Sequence, residues 1–329
     1  MIHKKLKQSL NKLIDNGQVF HAYIFEGPEG IGKRTLARDF AMALHCERQD
    51  VKPCGVCPSC IKHKTGNHPD YFEIQPEKDK KNISVDKIRA MCDEMYIRPI
   101  LSDWKIFFIP VADLLEAPAQ NAMLKVFEEP PEYAVIILAA SNASRLLDTI
   151  KSRAVMYRLN PLSKDEIKQY VSEEYPDKQS FSDFIYDFSG GIIGKVEILL
   201  KNKEALDKRK ELLKLLSGLH KGRFEALKMA DFLTENQENE ALLYEFALSY
   251  LRDLALLKQG GENLINSDFK ESLYTFSKEV SAKGAARALF VMAEKRKDKS
   301  KYANYNLWIT DLVISIWEEI NDKSNRNKV

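Results

Sequence analysis

Apolar positions along the chain follow two different rules. Between residues 21 and 160, short apolar runs alternate with helical patterns. The runs are His21–Phe25, Tyr71–Ile74, Trp104–Ile109, Ala134–Ala140 and Val155–Leu159. They lack in–out alternation, which predicts strands of a parallel sheet covered on both faces. Between them, Leu36, Phe40 and Leu44 recur at one helical face, as do Val85, Ile88, Cys92 and Met95. A further helical pattern over Asn121–Glu129 stops at Pro130-Pro131. After Pro161 the strand patterns cease. Ser163-Lys-Asp-Glu166 reads as a capping box that opens a helix. Short helical patterns follow around Asp183–Phe188 and Lys195–Lys201, broken by Gly190-Gly191. From about Asp207 to Asn321 the pattern is long and helical, including Glu240–Lys258 and Tyr302–Ile320, and the polar tail 322–329 is expected to fray. The predicted organisation is an α/β domain over 1–161, a small helical lid over 162–206 and an all-helical domain over 207–329.

Composition narrows the class. The chain has 329 residues, 44% hydrophobic and 30% charged, with a formal net charge of +2, as in ordinary globular proteins. A charge so near balance argues neither for nor against nucleic acid, because a local basic face can hide in the average. No apolar run approaches the length of a membrane span. The opening Met-Ile-His-Lys-Lys-Leu-Lys is too charged for a secretory signal. A reducing cytoplasm is therefore expected, where clustered cysteines bind metal more readily than they form disulfides.

The first strand runs into Gly27-Pro-Glu-Gly30-Ile-Gly32-Lys33-Arg34-Thr35, a nearly complete phosphate loop between a strand and an amphipathic helix. Glycines let backbone N–H groups turn toward phosphate, the helix N-terminus adds a dipole, and Lys33 adds a charge. Arg34 stands where Ser or Thr would ligate Mg²⁺, and Thr35 comes one residue late. The third strand ends in Pro110-Val111-Ala112-Asp113, where a working ATPase of this layout carries an adjacent Asp and Glu. Two readings stay open: a site that binds ATP or ADP without turning it over, in which Arg34 could stand as counter-charge in place of the metal, and a loop kept only for structure.

Cys46-x₇-Cys54-x₂-Cys57-x₂-Cys60 gathers four thiols, with Pro53, Gly55 and Pro58 favouring tight turns. Four thiolates satisfy Zn²⁺ tetrahedrally and leave no open position, so the metal would be structural. His63 and His68 lie nearby but are not needed, and Cys92, on an apolar helix face, reads as core. Arg153, in Ser152-Arg153-Ala154 ahead of the fifth strand, is by spacing alone a surface arginine that could reach a neighbouring subunit's γ-phosphate.

Taken together, His21-Ala-Tyr-Ile-Phe before Gly27, the Cys46–Cys60 cluster, Asn121-Ala-Met-Leu-Lys…Glu-Glu-Pro-Pro131 and Lys151-Ser-Arg153 resemble the bacterial clamp-loader subunits of DNA polymerase III, which are AAA+ proteins. Motifs carry the resemblance over residues 20–160, and length and architecture carry it beyond. Within that family the degenerate phosphate loop and the lost acidic pair resemble the delta-prime type more than the tau/gamma motor. The resemblance implies a subunit without its own ATPase, an accessory to the DNA-directed DNA polymerase complex. It would help load the sliding clamp on primed-template DNA beside tau/gamma and delta subunits. It further implies that Arg153 acts in trans as an arginine finger, although the usual Cys after it is Ala154, and that residues 207–329 join an oligomeric collar. Gly194-Lys195 falls in the sensor-2 region, with glycine where a motor has arginine. The alternatives are an ATP-hydrolysing tau/gamma-like motor and a stand-alone zinc-dependent nucleic-acid-binding protein.

Overall fold

The computed structural model describes residues 3–77, 82–202, 204–297, 299, 302 and 304–322. The expected frayed tail lies outside them from residue 323 onward. The chain forms two compact units, one of residues 1–162 with 192–194, the other of 163–191 with 195–329.

The first unit is built on five parallel strands: β1 (Ala22–Glu26), β2 (Tyr71–Glu73), β3 (Lys105–Ile109), β4 (Ala134–Ala140) and β5 (Val155–Arg158), in the order β2-β3-β4-β1-β5. Successive residues of the central strands point to opposite faces, and both faces are buried, which is why the runs show no alternation. On one face Ile24, Phe107, Ile109, Ile136 and Leu138 pack with Ile88, Met91 and Met95 of helix Val85–Met95. On the other, Tyr23, Phe25, Ile106, Phe108 and Ile137 pack with Leu36, Phe40 and Leu44 of helix Lys33–Leu44 and with Leu10 of helix Lys4–Asp15. Cys92 is buried in the first of these cores, as expected. This is the expected α/β arrangement, a parallel sheet covered on both faces, with the phosphate loop leaving interior strand β1.

The helical pattern over Asn121–Glu129 resolves into two helices, Ala117–Ala122 and Leu124–Glu128, which meet at Met123. Gln120, which the apolar pattern did not single out, is buried here. Its amide donates to the carbonyls of Leu115 and Arg145 and its oxygen accepts from Leu147 N–H, tying this turn to the segment after β4.

The second unit is helical among its described residues. Ser163 and Glu166 form the anticipated capping box. Helix Glu240–Lys258 runs over the residues its pattern gave, while the last helix starts at Tyr305 rather than Tyr302. Arg209 is fully buried and lies 3.4 Å from the ring centroid of Phe184, with two hydrogen bonds of 2.7 Å to Asp268. Phe184 also packs against Phe246. These contacts join helix Ser182–Ser189 to the later helices inside one unit. Among the described residues no helix is long and apolar enough to cross a membrane.

Candidate functional site

The four predicted cysteines come together. Their sulfur atoms lie within 4.8 Å of one another. The Sγ atoms of Cys54 and Cys60 are 3.9 Å apart, close to the ~3.8 Å edge of a tetrahedron with ~2.3 Å Zn–S bonds. Backbone N–H groups turn toward the sulfurs at 3.4 Å: Cys54 N–H to Cys46, Cys57 N–H to Cys54 and Cys60 N–H to Cys57. Cys57 caps helix Pro58–Lys64, with Pro58 at its first position, so the Cys-x₂-Cys spacing is also a helix start. The N–H groups of Val56 and then Cys57 pull the Cys54 thiol down to about 6, whereas burial pushes Cys60 up to about 12. The donor set and its spacing fit Zn²⁺.

Beneath this cluster lies a group the sequence did not reveal. His45, His63 and His68 stack, with ring centroids 4.1 Å apart for His45–His68 and 4.5 Å for His63–His68. His45 Nε2 faces the Trp104 carbonyl at 2.9 Å and must donate to it, so His45 Nδ1 accepts from His63 Nε2 at 2.7 Å. His68 Nδ1 accepts from Asp70 N–H, leaving its Nε2 to donate to Ser59 Oγ at 2.9 Å. The hydrogen bonds of the stack are thus all made by neutral rings. Burial first, and the neighbouring imidazoles second, depress His45 to about 3 and His63 to about 4. The stack fixes the cysteine-bearing segment to the start of β3. Asp70 continues the anchor: fully buried, its carboxylate accepts N–H bonds from Ile100, Leu101 and Ser102. The only sequence signal was three histidines flanking the cysteines; nothing in their spacing gave the stacking.

The phosphate loop has two left-handed glycines ahead of its helix. Gly30 and Gly32 have φ of 78° and 102°, and Gly32 caps helix Lys33–Leu44. The Lys33 ammonium donates to the loop carbonyls of Gly27 (2.6 Å) and Pro28 (3.0 Å). Burial lowers its pKa, against the opposing fields of Asp113 and Glu29. Gly194, from the sensor-2 segment, donates its N–H to Gly30 carbonyl at 2.8 Å; a Cβ there would come within 3.0 Å of Gly30 backbone atoms. His3 Nε2 lies 2.7 Å from Ile31 carbonyl.

Arg34 is engaged within the chain. It pairs with Glu73 at the end of β2 at 2.5 Å, alongside Arg38 at 2.8 Å. The helix turns residue 34 toward β2, which the sequence did not reveal. Thr35 is exposed on the next position. Pro110 and Val111 follow β3, and Asp113 accepts N–H bonds from Ser141 (2.6 Å) and Asn142 (3.0 Å), holding the turn after β4.

Arg153 follows helix Asp148–Lys151 and precedes edge strand β5. Its side chain is 37% exposed; Nη2 lies 3.0 Å from Glu128 Oε1 and Nη1 donates to Thr149 carbonyl at 3.1 Å.

A phosphate-loop fold with a four-cysteine insertion narrows the comparison with known proteins. A family profile described as DNA polymerase III, delta subunit, matches residues 2–163, and another, for the C-terminal part of the delta subunit, matches 203–318. The chain is 27% identical over 323 residues to the DNA polymerase III subunit delta' of Bacillus subtilis, covering 96% of this chain and 97% of that protein. The chain belongs to the DNA polymerase III clamp-loader subunit family. Another member, the tau/gamma subunit of Haemophilus influenzae, is 35% identical over 163 residues, which is 49% of this chain and 23% of that protein. Among solved structures, a gamma-subunit-related protein of Thermotoga maritima aligns over 95% of this chain and 99% of its own at a TM-score of 0.49 and 20% identity. As a clamp-loader family member, the chain carries a cysteine site that could hold zinc and a phosphate loop whose Mg²⁺-ligand position is Arg34.

Proposed function

We propose that the chain is a delta-prime-type clamp-loader subunit that does not hydrolyse ATP and gives an arginine finger to a neighbouring motor. One observation carries the reading: the position after Lys33 holds Arg34, which pairs with Glu73, and Pro110-Val111 follow β3 with no carboxylate pair. Hydrolysis needs protein-held Mg²⁺, an oriented water and charge stabilisation at the γ-phosphate. No Ser or Thr follows Lys33, and Pro110-Val111 supplies no carboxylate.

In this reading Arg153 approaches the nucleotide of a tau/gamma motor subunit, where its planar fork spreads over the charge that develops on the transferred phosphoryl group. Zn²⁺, held by Cys46, Cys54, Cys57 and Cys60, keeps the inserted segment folded and takes no part in chemistry. Residues 162–206 act as a lid and 207–329 as the collar that joins tau/gamma and delta subunits. The cytoplasmic assembly then places the sliding clamp on primed-template DNA.

Two measurements test this. Purified chain should hydrolyse ATP no faster than its Lys33→Ala variant, and should form a stable complex with a tau/gamma subunit on gel filtration. In that complex Arg153→Ala should remove one phase of ATP turnover while leaving assembly intact. Turnover by the isolated chain well above the Lys33→Ala control would move the assignment to the motor; no complex with the motor would end the clamp-loader reading.

A further inference from the structure

We propose that Glu128 is a positioning residue for Arg153, holding its guanidinium in the orientation from which it meets a neighbour's phosphate. The inference rests on the finger reading above and goes beyond it by assigning a second residue to the same task.

The guanidinium is gripped at two points. Thr149 carbonyl, four residues earlier, takes one N–H from Nη1, and Glu128 Oε1 takes one from Nη2 at 3.0 Å. The first contact comes from the arginine's own short helix. The second crosses to the end of helix Leu124–Glu128, 25 residues away in sequence. Two bonds to opposite nitrogens fix the plane of the fork, and among the described residues they engage two of its five N–H donors.

Stability does not account for Glu128. A carboxylate in the last turn of a helix opposes the helix dipole. An ion pair whose partners are 37% and 54% exposed contributes little to folding. Glu129 and Pro130-Pro131 follow at once, ending the helix so that Glu128 is presented at its tip. What the pair does supply is order in a long side chain with many rotamers. A finger must arrive with its donors aimed, and about 1 Å of misplacement can cost on the order of 10²-fold in rate.

The test uses the chain assembled with a tau/gamma motor subunit and reads the phase of ATP turnover that Arg153→Ala removes. Glu128→Ala should slow that phase by about 10- to 100-fold. Glu128→Gln, which keeps an oxygen acceptor, should restore most of it. In the Arg153→Ala background, Glu128→Ala should change nothing further. Complex formation should be the same for all variants. If Glu128→Ala turns over at the wild-type rate or faster while Arg153→Ala is slow, the positioning role is overturned and the finger stands. If Glu128→Ala still slows the double variant, Glu128 acts on something other than Arg153 and the inference fails. If Arg153→Ala itself matches wild type, the finger reading fails, and this inference with it.

Discussion

The first unit holds two ligand loops that have met opposite fates. In the cysteine loop, backbone N–H groups point at the sulfurs, and all four ligand atoms gather within 4.8 Å. In the phosphate loop Gly30 and Gly32 keep their left-handed turns, but Arg34 stands at the Mg²⁺-ligand position and pairs with Glu73, and Pro110-Val111 follow β3 without a carboxylate. Backbone form and side-chain chemistry are therefore separable. The loop glycines have a second task, since a Cβ at Gly27 would come within 2.6 Å of Leu159 carbonyl, and Gly30 receives Gly194 at close range. Packing alone is reason for those glycines to persist. Nothing but a metal rewards four thiols in one place, so intact cysteine geometry is stronger evidence of a working site than intact loop geometry.

The largest test of this contrast is metal removal. Elemental analysis of chain prepared without chelator should find one zinc per molecule. Cys57→Ser or Cys60→Ala should abolish it, because structural zinc contributes roughly 10–16 kcal/mol in small sites. The segment 46–66 should then be cut rapidly by protease while β1, β3 and β4 stay protected from hydrogen exchange. Zinc retained in both variants would break the comparison at its stronger half.

Acid should loosen the same segment through the histidine stack. His63 is held near 4 and His45 near 3, both below the ordinary ~6.5. Between those values and 6.5 the unfolded chain binds protons that the folded chain refuses, so stability falls as pH drops below about 6.5, by about 1.4 kcal/mol per pH unit for each such group. Hydrogen exchange of β3 amides between pH 7 and 5, in excess zinc, should follow that slope, and His63→Gln should remove one group's share of it. An unchanged slope in the variant would remove His63 from the anchor.

Smaller effects are expected at the phosphate loop. Gly194→Val should destabilise the first unit by about 1–3 kcal/mol, as overpacking does, because its side chain must displace Gly30 backbone; denaturant melting measures it, and no loss would mean that the two segments do not press together. Arg34→Thr restores the missing Mg²⁺ ligand type and breaks one exposed ion pair, so it should cost no more than about 1 kcal/mol. On its own it should give no ATPase, since Pro110 and Val111 remain.

How much of this was legible depends on the range of the interaction. The strands, the capping box at Ser163 and helix Glu240–Lys258 were written in local pattern, because period and capping are properties of neighbouring residues. The cysteine cluster was legible too, since all four thiols sit within one short segment and a metal site would read identity and spacing together. Helices Lys4–Asp15 and Pro58–Lys64 went unread; the first carries Leu6, Leu10, Leu13 and Ile14 at i, i+4, i+7 and i+8 among four lysines, a face that the pattern did offer, and the second is hidden inside the cysteine spacing. What only the tertiary structure decided are contacts between segments far apart in the chain: Arg34 turned onto Glu73, Gly194 laid on Gly30, Glu128 set against Arg153, and three histidines stacked beneath the cysteine cluster. The sequence names the groups that could do chemistry. How each of them is held is set by the partners that folding brings within about 3 Å, where a hydrogen bond or ion pair can form.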